Sequence, residues 1–314
     1  MKIIDPHLHL FNIEQGEYHW LKKGNPPFWP DKKRINKSFS EHDLALLPPL
    51  TLEGFVHIEA GFDNTKPWRE LIYLQESYQQ PFTAIANIDL TLDSKEFTLQ
   101  LENLQRNHSF IGVRHILDEQ VISILTNKQV VINLNTLNAL NNIDENNRIP
   151  DNDSINNKNF IFEVQMSFED ELSVDSLCKV IADNTNIIFI INHAGFPAID
   201  SNSKHWLDWK SNLTTVASYP NCAIKCSGWE MIDRQYTNEA EWLNQCLQTC
   251  FTIFGTKRMM LASNFPLCLF SHASYHSYWE MLLNTTFMLK RTVQEKSALC
   301  YHNALNYYQL AYNG

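Results

Sequence analysis

The first ten residues, Met1 to Leu10, hold a histidine pair, His7 and His9, at the end of a short apolar run. In a strand, residues two apart share a face. Two imidazoles roughly 7 Å apart along such a strand can reach one small ion or one substrate group. Ile4, Leu8 and Leu10 are expected on the opposite face. Similar residue types close the later apolar runs. His57 and Glu59 stand two apart on the second, and Arg114 and His115 end the fourth. Glu163 and Gln165 lie on the fifth, and His193 ends the sixth. Lys225 and Ser227 lie on the seventh, followed by Trp229 and Glu230, and Ser263 and Asn264 end the eighth. A lone histidine reads as a hydrogen-bonded core residue. Polar residues that interrupt apolar strands are costly unless paired, so their recurrence at one end of most strands points to a cleft.

The residue types suggest the chemistry. Neutral His7, His9 and His193 suit Zn²⁺, with an open position left for water. A bound metal would acidify that water and polarise a carbonyl. Arg114 and Lys225 suit a carboxylate or a developing oxyanion. A general base is also required. Glu59 and Glu230 are candidates by type, and His57 and His115 by ordinary pKa. Glu163 reads equally well as a paired structural carboxylate. There is no G-x-S-x-G, and no cysteine has a nucleophile's context.

These residues need strands to carry them. Apolar runs at 2–9, 52–60, 82–88, 110–116, 160–166, 187–193, 223–227 and 258–264 read as strands. Amphipathic stretches at 68–80, 95–107, 170–184, 204–218 and 239–254 read as helices between them. Alternation of this kind predicts an α/β fold with a parallel sheet, and eight units predict a (β/α)₈ TIM barrel. A doubly wound open sheet is the runner-up, but no G-x-G-x-x-G follows an early strand. The expectation is a single domain over residues 1–314. Residues 10–50, with Trp20, Trp29 and several prolines, predict a long first loop, either a lid or a passive insertion. In the Asn- and Asp-rich stretch 133–159, Leu134, Leu137, Leu140 and Ile143 are spaced like a short helix. Residues 144–158 read as a surface loop. Residues 293–312 read as a helix or helix pair capping the barrel.

Composition narrows the class. The 314 residues carry a net charge of −10 and are 44% hydrophobic, which argues for a globular core and against a nucleic-acid partner. No apolar run is long enough to span a membrane, and no signal peptide is visible. The seven cysteines include no C-x-x-C, so reduced thiols and a cytoplasmic location are expected. The expected partner is a small-molecule substrate. Composition says nothing of oligomeric state.

Seven motifs in this order resemble the amidohydrolase superfamily, in its amidohydrolase 2 branch, over nearly the whole chain. They are Asp5-Pro-His-Leu-His-Leu-Phe11, Val56-His-Ile-Glu-Ala60, Gly112-Val-Arg-His-Ile-Leu117, Asn192-His-Ala-Gly-Phe-Pro197, Lys225-Cys-Ser-Gly228, Ala262-Ser-Asn-Phe-Pro266 and His302-Asn-Ala-Leu-Asn-Tyr-Tyr-Gln-Leu310. The branch includes sugar-acid lactonases and 2-pyrone-4,6-dicarboxylate lactonase. The resemblance implies a TIM barrel that hydrolyses a small anionic carbonyl compound, a lactone first among them. It implies that His7, His9 and His193 line the site and bind a divalent metal in some members, while other members work without one. The matching arginine, Arg114, holds a substrate carboxylate. Most relatives end the last strand in Asp, where this chain has Asn264, which cannot act as a base. The expected catalytic set is therefore His7, His9, His193, Asn264, His57 and Glu59, with Arg114, His115, Lys225 and Trp229 as substrate contacts. A decarboxylase of the same superfamily, or an inactive binding protein that has lost the strand-eight acid, are the alternatives.

Overall fold

The structure, a computed structural model, describes residues 1–143, 160–236 and 240–310. Eight parallel strands stand in sequence order: β1 (Lys2–Leu8), β2 (Thr51–Ile58), β3 (Phe82–Asn87), β4 (Phe110–Arg114), β5 (Phe160–Val164), β6 (Ile187–Ile191), β7 (Cys222–Cys226) and β8 (Met259–Leu261). The ring closes where the segment after β8 meets β1. His9 N–H donates to the Phe265 carbonyl at 2.7 Å, and Asn264 N–H to the His7 carbonyl at 2.9 Å. Buried Asp5 fastens the same seam, accepting from the Ser263 and His7 N–H groups and from the Tyr275 hydroxyl. The fold is a (β/α)₈ barrel.

Helices follow the strands: α1 (Trp68–Ser77), α2 (Ser94–Gln105), α3 (Val121–Leu125), α4 (Lys128–Ile143), α5 (Glu171–Asp183), α6 (Lys204–Ala217), α7 (Trp229–Ile232), α8 (Ala240–Phe254) and α9 (Tyr275–Leu283), of which α1, α2, α5, α6 and α8 match the amphipathic stretches and α3, α7 and α9 carry no such signal. Local chemistry sets several starts. Asp93, Asp170 and Ser203 each accept backbone N–H groups of the first turn of α2, α5 and α6. The helix expected in the Asn-rich stretch starts earlier and is longer than Leu134–Ile143 alone suggests, and the loop expected at 144–158 lies outside the described residues.

Two cores result. Ile4, Val56, Ile58, Ile85, Ile161, Ile190, Ala223 and Met260 fill the barrel interior. Each fully buried aliphatic of this size contributes about 1.5–3 kcal/mol. Tyr301, Ala304, Tyr308 and Leu310 of the C-terminal segment join that interior, so the segment caps the end opposite the site. The larger core lies between strands and helices and includes Leu8 and Leu10.

This division corrects the expected face of β1. Ile4 points inward, whereas Leu8 and Leu10 point outward. The register against β2 slips between Asp5 and Leu8, where three steps on β1 match two on β2. That bulge inverts the alternation, and so His7 and His9 enter the barrel although Ile4 does too.

Residues 10–50 lie over the site end as three short 3₁₀ turns, His19–Leu21, Lys32–Arg34 and Glu41–Leu44. Trp20 Nε1–H donates to the Ala60 carbonyl, Arg34 to the Phe270 carbonyl, and Arg234 pairs with Asp31 at 2.8 Å.

Candidate active site

Three imidazoles meet at the C-terminal end of the barrel. The His7 ring centroid is 5.1 Å from that of His9 and 4.6 Å from that of His193. All three are nearly sealed, at 0%, 7% and 2% exposure. Burial, and then the charges of Lys225 and Arg114, hold all three well below the ordinary histidine pKa, so they are neutral at pH 7. Their surroundings differ. His9 Nδ1–H donates to the Ile58 carbonyl at 2.8 Å, which leaves the Nε2 lone pair free. His193 Nδ1 meets Ser227 Oγ at 3.1 Å. Both ring nitrogens of His7 are buried without a hydrogen-bond partner among the described residues.

Backbone strain places His193. It leaves β6 in the left-handed region (φ 54°), followed by Ala194 (53°), Gly195 (69°) and Phe196 (56°). Such conformations cluster at functional sites because the surroundings must impose them. Gly228 (φ 74°) permits the approach, since a Cβ there would lie 2.5 Å from His193 Nδ1.

The remaining expected residues divide. Arg114 is buried against Glu59, with Nη2 at 2.6 Å and Nε at 2.8 Å from Oε1, and a third contact to Gln165 Oε1 at 3.0 Å. Lys225 is paired with Glu163 at 2.6 Å and donates to the Pro6 carbonyl. Both cations are therefore neutralised by carboxylates of the chain itself. The substrate contacts expected of Arg114 and Lys225 would thus be made by cations that are already paired, and the same pairing engages Glu59, expected as a base. Both nitrogens of His57 are in use: Nδ1 accepts from Leu10 N–H and Nε2–H donates to Glu70 at 3.0 Å. His115 turns to the Leu90 N–H and the Ile88 carbonyl, away from the cluster. Trp229 is fully buried with its ring edge-to-face with that of Trp242, and its Nε1–H finds no acceptor among the described residues.

Asn264, three residues past β8, sits in the left-handed region (φ 55°), a conformation asparagine tolerates. Its Nδ2–H donates to Glu230 Oε1 at 2.7 Å. Burial raises Glu230 from the ordinary 4.5 to about 7. Sequence reasoning missed Asp5, Glu70 and the Ser227 partnership. Asp5 and Ser227 stand beside the named histidines, but only three dimensions bring Glu70 to His57.

The nitrogen donors suit a divalent ion in type and protonation. The arrangement does not: among the described residues no three His, Cys, Asp or Glu side chains stand where they could hold one ion together. The carboxylates nearby are engaged by Arg114, Lys225 and Asn264, which leaves none to join the imidazoles as a ligand. The zinc expectation for His7, His9 and His193 is thus met in its donors and not in a ligand set.

A hollow of about 460 Å³ lies beside the cluster, lined by Ser167, Glu169, Phe196, Asp200 and Ile232 among others. Phe196 belongs to both, with its ring 5.4 Å from that of His193.

Comparison with known proteins agrees with this architecture. An uncharacterized protein, y4mH, of Sinorhizobium fredii is 28% identical over 317 residues, covering 98% of each chain. The L-fucono-1,5-lactonase of Burkholderia multivorans is 30% identical over 100 residues, 27% of this chain and 31% of that protein. An amidohydrolase of Burkholderia multivorans crystallised with bound Zn shares the fold, with a TM-score of 0.74 and 19% identity over 99% of this chain and 100% of that one. Residues 173–310 match the model of the amidohydrolase family Amidohydro_2. The family match thus spans the C-terminal part of the barrel, and over its whole length the chain is similar in fold to an amidohydrolase.

Proposed function

We propose that the protein hydrolyses a small, uncharged lactone at the three-imidazole cluster. The observation that carries this reading is His7, fully buried between two other neutral imidazoles with both ring nitrogens unsatisfied. An unpaired buried polar group costs about 1–3 kcal/mol. A bound polar substrate and a water relieve that cost.

A neutral imidazole offers one donor and one acceptor. Water attacks the lactone carbonyl, and His9 Nε2 accepts its proton, since Nδ1–H is committed to Ile58. The carbonyl oxygen becomes an oxyanion, stabilised by an N–H of His7 or His193. The ring C–O bond then breaks, and the proton passes from His9 to the departing ring oxygen. The product is the open hydroxy acid.

Charge favours a neutral substrate over the anionic one expected from the sequence. The Arg114–Glu59 and Lys225–Glu163 pairs each sum to zero. A substrate carboxylate that took Arg114 would leave Glu59 buried and unpaired, at a cost of about 3–5 kcal/mol. Similarity to L-fucono-1,5-lactonase, named for an uncharged sugar lactone, supports the same class.

A panel of neutral aldonolactones and lactone carboxylates, followed by acid release, tests the proposal. Turnover of at least one neutral lactone is expected, with His9→Ala lowering kcat/KM by at least roughly 100-fold. Release of CO₂ instead would make the protein a decarboxylase. Silence across the panel, with lactone still bound, would make it a binding protein.

A further inference from the structure

The hydrolysis above leaves one buried acid unused. Glu230 is fully buried at the start of α7. Oε1 accepts from Asn264 Nδ2 at 2.7 Å, while Oε2 has no hydrogen-bond partner among the described residues. Four titratable groups face this carboxyl: Arg234, Tyr236, Cys268 and Tyr278. Burial holds the two phenols and the thiol in their neutral forms, so Arg234 is the one charge among the four. Arg234 in turn donates to the Glu230 carbonyl and pairs with Asp31.

A carboxylate only accepts, so an ionised Glu230 admits one orientation of its neighbour: amide nitrogen toward Glu230, amide oxygen away. Asn264 Oδ1 accepts no hydrogen bond from the described residues. Its backbone N–H is fixed on the His7 carbonyl at 2.9 Å. The pair therefore presents a fixed, uncommitted acceptor just past β8, on a residue joined to His7 by one backbone hydrogen bond.

We propose that Glu230 is a positioning residue for the hydrolysis: it locks the Asn264 carboxamide so that Oδ1 accepts one hydrogen of the attacking water while His9 takes the other. A negative charge is thereby retained one residue behind the strand-eight position, although Asn264 itself carries none. This rests on the hydrolase reading. A protonated Glu230 can donate to Oδ1 instead, which lets the amide turn over and removes the acceptor. Because burial raises Glu230 to about 7, the ionised form gains as pH rises through that value, and activity should rise with it.

The test is the pH profile of kcat/KM on the best neutral lactone for the wild type, E230Q and the exchange E230Q/N264D. A wild-type limb near pH 7 is expected. In E230Q that limb should vanish, and kcat/KM should fall roughly 10- to 100-fold, the range for groups that orient a first-contact residue. The exchange variant puts the carboxylate on β8 with an amide donor behind it, and should recover most of the loss. An E230Q profile superimposable on the wild type overturns the inference and leaves the hydrolase reading standing. A wild type inert on every lactone sinks both. If E230Q fails to fold, the wild type decides: a flat profile from pH 6 to 8 overturns the inference, and turnover by the exchange variant supports it.

Discussion

At the residue scale, each expected participant has to be judged with its partner. Arg114 and Lys225 are the right types at the right strand ends, yet each arrives with its own carboxylate. Those pairs leave the cluster with neutral nitrogen donors and no carboxylate that is not already paired. Protein purified without added metal is accordingly expected to hold well under one zinc or manganese per chain by elemental analysis, and lactone turnover should survive a chelator. Stoichiometric metal that resists dialysis would show that the three rings can rearrange into a ligand set. Residue types at strand ends were legible in the sequence because each sits beside an apolar run. The pairings were not. Glu59 lies 55 residues from Arg114, and Glu163 must cross the barrel to Lys225, so no spacing rule relates them.

At the element scale, the strands and most helices followed from periodicity, with boundaries within a few residues of those read from the chain. The bulge in β1 did not. Strict alternation from Ile4 would send His7 and His9 to the outer wall, and only the slip against β2 turns them inward. The second element that places a ring is the turn after β7. Gly228→Ala combines a left-handed φ with a Cβ 2.5 Å from His193 Nδ1. It should cost about 1–2 kcal/mol for the backbone alone, and displacement of His193 should lower kcat/KM by roughly 100-fold. Gly255→Ala is the control. It shares the left-handed φ (69°) but has open space around it, so melting temperature should fall while kcat/KM holds.

At the scale of the whole molecule, the cluster is almost closed to solvent, so entry of a substrate requires some part of the rim to move. Residues 10–50 are held across it by Asp31–Arg234, by Arg34 on the Phe270 carbonyl, and by Arg234 stacked 5.2 Å over the Trp29 ring. Arg234→Ala removes two of these ties. Faster hydrogen exchange is expected in residues 20–35 with the barrel strands unchanged, together with a higher KM; exchange confined to α7 would assign the cover a passive role. The seam between β1 and β8 has a wider implication. His7, His9 and Asn264 supply both the last backbone bonds of the ring and the groups proposed to act on substrate. A chain still growing on the ribosome therefore has no working centre, and reactivity should switch on only when its final stave docks against its first.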